Sequence, residues 1–496
     1  MTTPAGEGGF FGQPRGLATL FFTEMWERFN YYGMRALFVL FLVAAVSEGG
    51  FGIDDRTAAA IYGLYTSAVY LVAWPGGWIA DRLIGSQRAV IWGGVLMTIG
   101  TLMLTVPATP AFFYTGLIVI ILGVGLLKPN ISTIVGALYP EGGARRDAGF
   151  SIFYMGINIG AFIGPLVTGW LAVEYGWRWG FGSAAVGMAL GVLQFMLTRR
   201  HLGTAGLHPH AHSGATREVS LRAWLPVIAG VAGLVVAIAL AWSGTVQVDP
   251  IALSSWGTVL ILTMAAAFFS YMLFFAGLDA AERKRILAFI VLFFASALFW
   301  SGFEQAGSSF NLFAERYTNR MIGSWEMPAA FLQSVNPIFI IIFAPLFSWL
   351  WVTLARRNLD PSSPVKFAFG LILMGVGFLV MVGAAEVVVA GDQPLPYWLI
   401  LTYLLHTFGE LALSPVGLST VTKLAPERFV GQMMGVWFLA ISLGNLIAGQ
   451  LAGEFDSNNV AAFPGQFMNI FWFGALVGVA LLLISPLLRR WMGGVK

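Results

Sequence analysis

The sequence predicts an all-α protein that threads a lipid bilayer many times, and three observations predict it. Of 496 residues, 58% are hydrophobic and only 10% charged, with a mean hydropathy of +0.79; a soluble domain carries about 25% charged residues. Apolar runs of about twenty residues, enough for a helix to cross the hydrocarbon core, recur along the whole chain. They are continuous rather than alternating, which excludes an outer-membrane barrel. Aromatic residues make up 15%, as expected where Trp and Tyr gather at membrane interfaces.

The runs mark fourteen spans, at 16–46, 57–81, 88–106, 111–139, 146–173, 177–199, 222–243, 253–275, 285–316, 326–354, 364–386, 395–423, 430–453 and 464–490. Of the 27 Lys and Arg residues, roughly twenty fall on alternate loops and about four (Arg56, Arg178, Arg316, Arg320) on the others. Basic loops stay in the cytoplasm, so both termini are expected there in a multi-pass protein of the cytoplasmic (inner) membrane. The net charge of +3 and pI near 9.1 therefore reflect loop bias, not a nucleic-acid partner. Cysteine is absent, which removes disulfides and thiolate metal sites. The polar start, Met1 to Gly16, leads into a segment too long and too charged for a cleaved signal peptide.

Six spans precede the longest basic connection, about Arg199 to Arg222, and eight follow it. The expected organisation is a six-helix bundle at 1–199, a linker with two extra transmembrane helices at 200–284, and a six-helix bundle at 285–496. Two pseudo-symmetric halves around a central cavity follow from that count. His201, His208, His210 and His212 lie in the connection among Gly, Ala and Ser. That context offers no fixed geometry for zinc, so it reads as a solvated linker.

The first span carries the chain's most unusual stretch, Thr23-Glu24-Met25-Trp26-Glu27-Arg28-Phe29-Asn30-Tyr31-Tyr32-Gly33-Met34-Arg35. At about 100° per residue, Glu24, Glu27, Arg28, Tyr31 and Arg35 fall within roughly 60° of one line, with Tyr32 at its edge. Met25, Trp26 and Phe29 point elsewhere. Charges at membrane depth are costly, and five polar groups on one stripe exceed what an ion-pair lock needs, so an aqueous pathway is expected beside them. Lys128, before Pro129 in the fourth span, is too far from either end to snorkel and calls for a carboxylate partner among Glu24, Glu27 and Glu410.

Other motifs follow in order. After the second span, Gly76-Gly77-Trp78-Ile79-Ala80-Asp81-Arg82-Leu83-Ile84-Gly85-Ser86-Gln87-Arg88 combines close-packing glycines with Asp81 and Arg88, which can cap and pair at neighbouring helix ends. Tyr154 and Asn158 share a face at i and i+4, as do Trp300 and Glu304. Asn336-Pro337 puts an amide beside a carbonyl freed by proline, and His406, Glu410 and Ser414 recur at i+4 steps.

The Gly76 to Arg88 loop resembles the signature loop of the major facilitator superfamily, although members often have more basic residues where Ser86 and Gln87 stand. The wider set resembles that superfamily's proton-dependent oligopeptide transporter family, in its bacterial form. Glu24-x-x-Glu27-Arg28-Phe29-x-Tyr31-Tyr32 is the most specific mark and Phe153-Tyr154-x-x-Ile157-Asn158-x-Gly160 the second. Lys128-Pro129-Asn130, Phe303-Glu304-Gln305, Asn336-Pro337 and Gly409-Glu410-x-x-x-Ser414-Pro415 fall where that family has theirs. The resemblance implies a major facilitator fold and a proton-coupled symporter importing di- and tripeptides by alternating access.

It further implies that Arg35 and Lys128 hold the peptide carboxylate, Glu410 the ammonium, and Asn158 and Asn336 the backbone, with Ser414 among the contacts. Tyr31, Tyr32, Tyr70, Tyr154, Trp300, Trp437 and Phe438 would line side-chain pockets, where aromatic walls give area without demanding one partner. Glu24, Glu27, Arg28, Lys128 and Glu304 are the proton-coupling candidates, because burial and a neighbouring cation pull a carboxylate's proton affinity in opposite directions. Arg35 with Glu304, and Asp81 with Arg88, are the gating candidates. The expected partners are di- and tripeptides, protons and the bilayer, with the chain acting as a monomer. No cofactor is expected, since the proton gradient supplies the drive. The alternative is a same-fold symporter for nitrate, another small anion or a peptide-like solute, against which the carboxylates argue by repulsion. An enzyme is not expected: His-Glu-x-x-His, Gly-x-Ser-x-Gly and paired catalytic aspartates are missing from the spans.

Overall fold

The structure is a computed structural model and describes residues 9–106, 109–209, 221–455, 457 and 459–493. Its helices are α1 (Arg15–Val43), α2 (Asp55–Leu71), α3 (Ala73–Ile79), α4 (Ser86–Thr105), α5 (Pro110–Ala137), α6 (Gly143–Tyr175), α7 (Trp177–Thr198) and α8 (Leu221–Trp242). They continue as α9 (Pro250–Phe274), α10 (Ala280–Phe303), α11 (Ser309–Arg316), α12 (Val335–Arg356), α13 (Ser363–Val389), α14 (Tyr397–Leu424), α15 (Val430–Ala452) and α16 (Phe463–Trp491). Among the described residues, thirteen helical stretches are long and apolar enough to cross a membrane. α1, 29 residues long, makes the fourteenth, and only its load of Glu and Arg sets it apart. The predicted all-α architecture and span limits hold to within a few residues at each end.

Three departures are local. Pro75 has no N–H to continue the ladder, so the second span breaks into α2 and α3 and then winds into a π turn over Ala80–Ile84. The span predicted at 285–316 is interrupted after Phe303 by a 3₁₀ turn at Glu304–Gly307. A two-residue antiparallel ladder, β1 (Met321–Ile322) with β2 (Trp325–Glu326), turns through Gly323 at φ +66°, a conformation glycine adopts without strain. The connection after α7 also starts as folded structure rather than a solvated linker. Arg199–Leu202 forms a 3₁₀ turn, and Leu202 is buried. His210 and His212 lie outside the described residues.

The helices group into two units, Met1–Leu37 with Leu71–Asp249, and Phe38–Tyr70 with Pro250–Lys496. In the first, α6 meets α1 along Gly156, Gly160 and Gly164, where a Cβ would strike Phe21, the Met25 carbonyl and the Phe29 carbonyl. Thr168 Oγ1 donates to the Gly33 carbonyl at 2.9 Å. Asn30 Nδ2 donates to Thr101 Oγ1 (3.0 Å) and the Ala184 carbonyl (2.8 Å), tying α1 to α4 and α7. α8 is largely exposed and hydrogen-bonds to α5 through Trp242 Nε1 and Thr115 Oγ1 at 3.1 Å.

In the second unit α13 and α16 pack through Gly375, Gly474 and Gly478, each against a facing carbonyl. α9 is held on α15 by Gln450 Nε2, which donates to Ser254 Oγ (3.2 Å) and Thr258 Oγ1 (3.0 Å). α2 belongs here as well. Gly63 and Gly449 bring it against α15, Ser67 Oγ meets Ser442 Oγ at 2.8 Å, and Asp55 takes both terminal nitrogens of Arg316 on α11 at 2.5 and 2.8 Å.

Small residues at such crossings set helix separation. Gly160→Val is expected to lower stability by about 1–3 kcal/mol through overpacking against Met25. Gly182→Val, whose Cβ meets only Thr105 at ordinary contact distance, is expected to be near neutral. Thermal unfolding of the two purified variants checks the contrast.

Candidate functional site

The candidate residues form two sets, one in each unit. In the first unit the α1 stripe is buried rather than water-facing: Glu27 is 0% exposed, Glu24 3%, Arg28 4% and Arg35 5%. Arg28 Nε lies 3.1 Å from Glu24 Oε1 and also contacts Glu27 Oε2, so one guanidinium serves two carboxylates. Its Cζ sits 5.4 Å from the Tyr31 ring centroid, and Arg35 Cζ sits 5.6 Å from that of Tyr32. Such cation–π contacts offset part of the desolvation of each cation. Trp26 and Phe29 point to the other side of the helix, against Gly187 and Gly191 of α7.

Lys128 on α5 is half-buried and acts electrostatically on Glu24, one of the three acids its position calls for. Counting Arg35 on the same stripe, two carboxyl groups here are met by two guanidiniums and one ammonium. On α6, Tyr154 is exposed, whereas Asn158 is buried and gives Nδ2 to the Tyr154 carbonyl at 2.9 Å. Asp81 and Arg88 are both exposed, on the π turn and on the first turn of α4.

Gln87 is buried. Its Nε2 donates to the carbonyls of Gly203 (3.3 Å) and Ala205 (2.8 Å), and its N–H to that of Gly206 (2.9 Å). The loop before α4 is thereby held by the segment after α7. Sequence reading missed this contact because an amide side chain does not announce a backbone partner more than a hundred residues away.

In the second unit, Glu304 opens the 3₁₀ turn after α10, and Tyr62 Oη donates to its Oε2 at 3.3 Å. Asn336 on α12 gives Nδ2 to Glu410 Oε2 (3.1 Å) and Thr407 Oγ1 (2.9 Å), both on α14. Glu410 and Ser414 are half-buried, as are Tyr70 and Phe438. Trp300 is 8% exposed beside Phe299 and Phe303. Trp437 is packed inside, 2% exposed, between Phe289 and Phe367. His406, one turn before Glu410, is enclosed among Phe303, Phe310 and Phe378, with Nε2 3.1 Å from the Met374 carbonyl.

Tyr62 and Thr407 are the polar partners that sequence reading passed over. Thr407 stands three residues before Glu410, a same-face spacing that signals contact. Tyr62 carries no local signal, since its partner comes from another span. Among the described residues no group of three His, Cys, Asp or Glu side chains is gathered to hold a metal ion.

Among the described residues, fourteen helical stretches of membrane-spanning length, with ionisable groups buried among them, define a polytopic membrane transporter of the major facilitator fold. Residues 87–473 match the sequence profile of the POT family, and the chain belongs to that family, one of transporters rather than enzymes. It is 41% identical over 503 residues to the peptide transporter YePEPT of Yersinia enterocolitica, covering 100% of this chain and 98% of that one. It is 36% identical over 500 residues to a di-/tripeptide transporter of Lactococcus lactis, covering 99% of each. The crystal structure of a peptide transporter POT in complex with sulfate superposes with a TM-score of 0.89 at 41% identity, covering 98% of this chain and 97% of that one.

Removing one partner from a buried ion cluster strands the others. Glu27→Ala is expected to destabilise the protein by about 3–5 kcal/mol. Glu141→Ala, whose exposed carboxylate lies 3.8 Å from Arg145, is expected to change stability by less than about 1 kcal/mol. Melting temperatures of the two variants in one detergent check this.

Proposed function

We propose that the protein is a proton-coupled symporter that imports di- and tripeptides across the cytoplasmic membrane by alternating access, working as a monomer with both termini in the cytoplasm. The observation that carries this reading is the Glu24–Arg28–Glu27 cluster on α1 with Lys128 bearing on it. While the ions stay paired, Arg28 and Lys128 compensate the two acids. When a helix movement parts them, each acid must take a proton or remain a buried charge of several kcal/mol. A proton is then an obligatory part of the cycle, and the proton gradient is the only drive required.

The names of the relatives support the cargo, and the charge layout agrees with it. Arg35 and Lys128 take the peptide carboxylate and Glu410 the ammonium. Asn336 has given amide hydrogens to Glu410 and Thr407, so it offers a peptide N–H its carbonyl oxygen. Asn158 has likewise spent an amide hydrogen on its own helix. Tyr31, Tyr32, Tyr70, Tyr154, Trp300, Ser414, Trp437 and Phe438 complete the peptide-contacting set. The moving halves in this reading are 1–199 and 285–496, with 200–284 between them. Arg35 with Glu304, and Asp81 with Arg88, act as gates. Tyr62 steadies Glu304 when that gate is shut, and the Asp55–Arg316 pair closes with it.

Two measurements test the reading. Glu27→Gln is expected to abolish proton-driven concentrative uptake in proteoliposomes while peptide counterflow continues; full uptake by this variant overturns the coupling role. Acetylating the amino group of a dipeptide is expected to weaken its binding by at least about tenfold in the native protein, the loss of one charge-assisted contact, and to make little further difference in Glu410→Ala. Equal losses in both proteins overturn the assignment of Glu410 to the ammonium. Competition by nitrate as strong as by unlabelled dipeptide would favour the small-anion alternative.

A further inference from the structure

A second, differently built polar site lies in the second unit, where the loop between α12 and α13 meets the last turns of α16. A cavity of about 600 Å³ opens there, lined among others by Ser362, Ser485, Arg489 and Arg490. We infer that it seats the phosphodiester headgroup of an anionic phospholipid, a role separate from transport of the cargo.

The charge balance favours an anion. Asp360 also lines the cavity, but its Oδ1 is ion-paired with Lys366 Nζ at 2.8 Å, and that ammonium rests 4.7 Å from the Trp351 ring centroid. The acid is thus compensated from within the fold. Arg489 and Arg490 are exposed, and among the described residues neither is ion-paired. Two forked guanidiniums match the geometry of a phosphate, each able to give parallel hydrogen bonds. Ser362 adds a hydroxyl, whereas that of Ser485 already donates to the Leu482 carbonyl at 2.8 Å. Basic pockets between spanning helices at the cytoplasmic face are the expected seats for anionic headgroups.

The flank of the cavity favours a lipid over a free ion. On α16, just before the two arginines, Leu483 is 76% exposed, and Ile484 and Leu487 are also exposed. Leu359, next to Asp360, is 64% exposed. A soluble anion has no use for this apolar strip. A phospholipid lays its acyl chains along it, with the headgroup at the depth of Arg489 and Arg490.

The test titrates the purified full-length protein in detergent with short-chain phosphatidylglycerol, short-chain phosphatidylcholine and inorganic phosphate, reading the melting temperature. Phosphatidylglycerol is expected to raise it saturably, and the other two are not. Arg489→Gln/Arg490→Gln is expected to raise the half-saturating concentration about tenfold, and Arg489→Lys/Arg490→Lys to fall between. Arg356→Gln/Arg357→Gln removes the same charge from the neighbouring helix end, outside the cavity, and is expected to leave half-saturation within about twofold. Equal losses in the two glutamine variants overturn the seat in favour of diffuse attraction. An inorganic phosphate response as strong as that of phosphatidylglycerol overturns the lipid as its occupant.

Discussion

The constraint on which the rest depends is that the charges buried on α1 must stay compensated. Glu24 and Glu27 share Arg28, and Arg35 on the same helix and Lys128 on α5 supply two further cations. A buried ion group of this kind is a poor device for stability, since an apolar set of the same volume is often as stable or more so. Its presence is better explained by what happens when it is pulled apart. In the proposed cycle, parting this cluster without protons strands buried charges, and that turns a helix movement into a proton requirement.

Such a device works only if the helices around it are held rigidly, and the first unit does this with glycine. Gly156, Gly160 and Gly164 let α6 approach until backbone meets backbone, while Asn30 ties α1 to α4 and α7. Trp26 and Phe29 fill the opposite side against α7. The polar stripe therefore cannot rotate toward lipid to relieve its charges.

The way α2 is fastened in the second unit is different in kind. Ser67 with Ser442 and Tyr62 with Glu304 are buried hydrogen bonds, and Asp55 with Arg316 is a partly exposed ion pair. Hydrogen bonds and partly exposed ion pairs of this sort are each worth about 1 kcal/mol net. At Gly63 and Gly449 the two backbones meet without an intervening side chain. A seam joined by a few single hydrogen bonds and one partly exposed ion pair costs less to open than the α1 cluster costs to disturb. Alternating access needs both properties, in different places.

Much of this was legible beforehand, for a physical reason. A bilayer demands about twenty apolar residues per helix whatever the neighbours, so the fourteen spans follow from local composition. The stripe on α1 follows from helical geometry, which is equally local. The breaks at Pro75 and after Phe303, and the ladder at Met321–Glu326, were hidden because hydropathy windows average over a few residues. Hidden too were the second partners: Tyr62 for Glu304, Thr407 for Asn336, and Gly203, Ala205 and Gly206 for Gln87. The sequence alone determined how many times the chain crosses and which charges enter the membrane, because burial in lipid constrains each segment singly. Which charge faces which, that Phe38–Tyr70 groups with the later helices, and that Trp437 is enclosed while Tyr154 is exposed were decided only by tertiary packing, because those contacts join residues whose separation along the chain carries no record of their meeting.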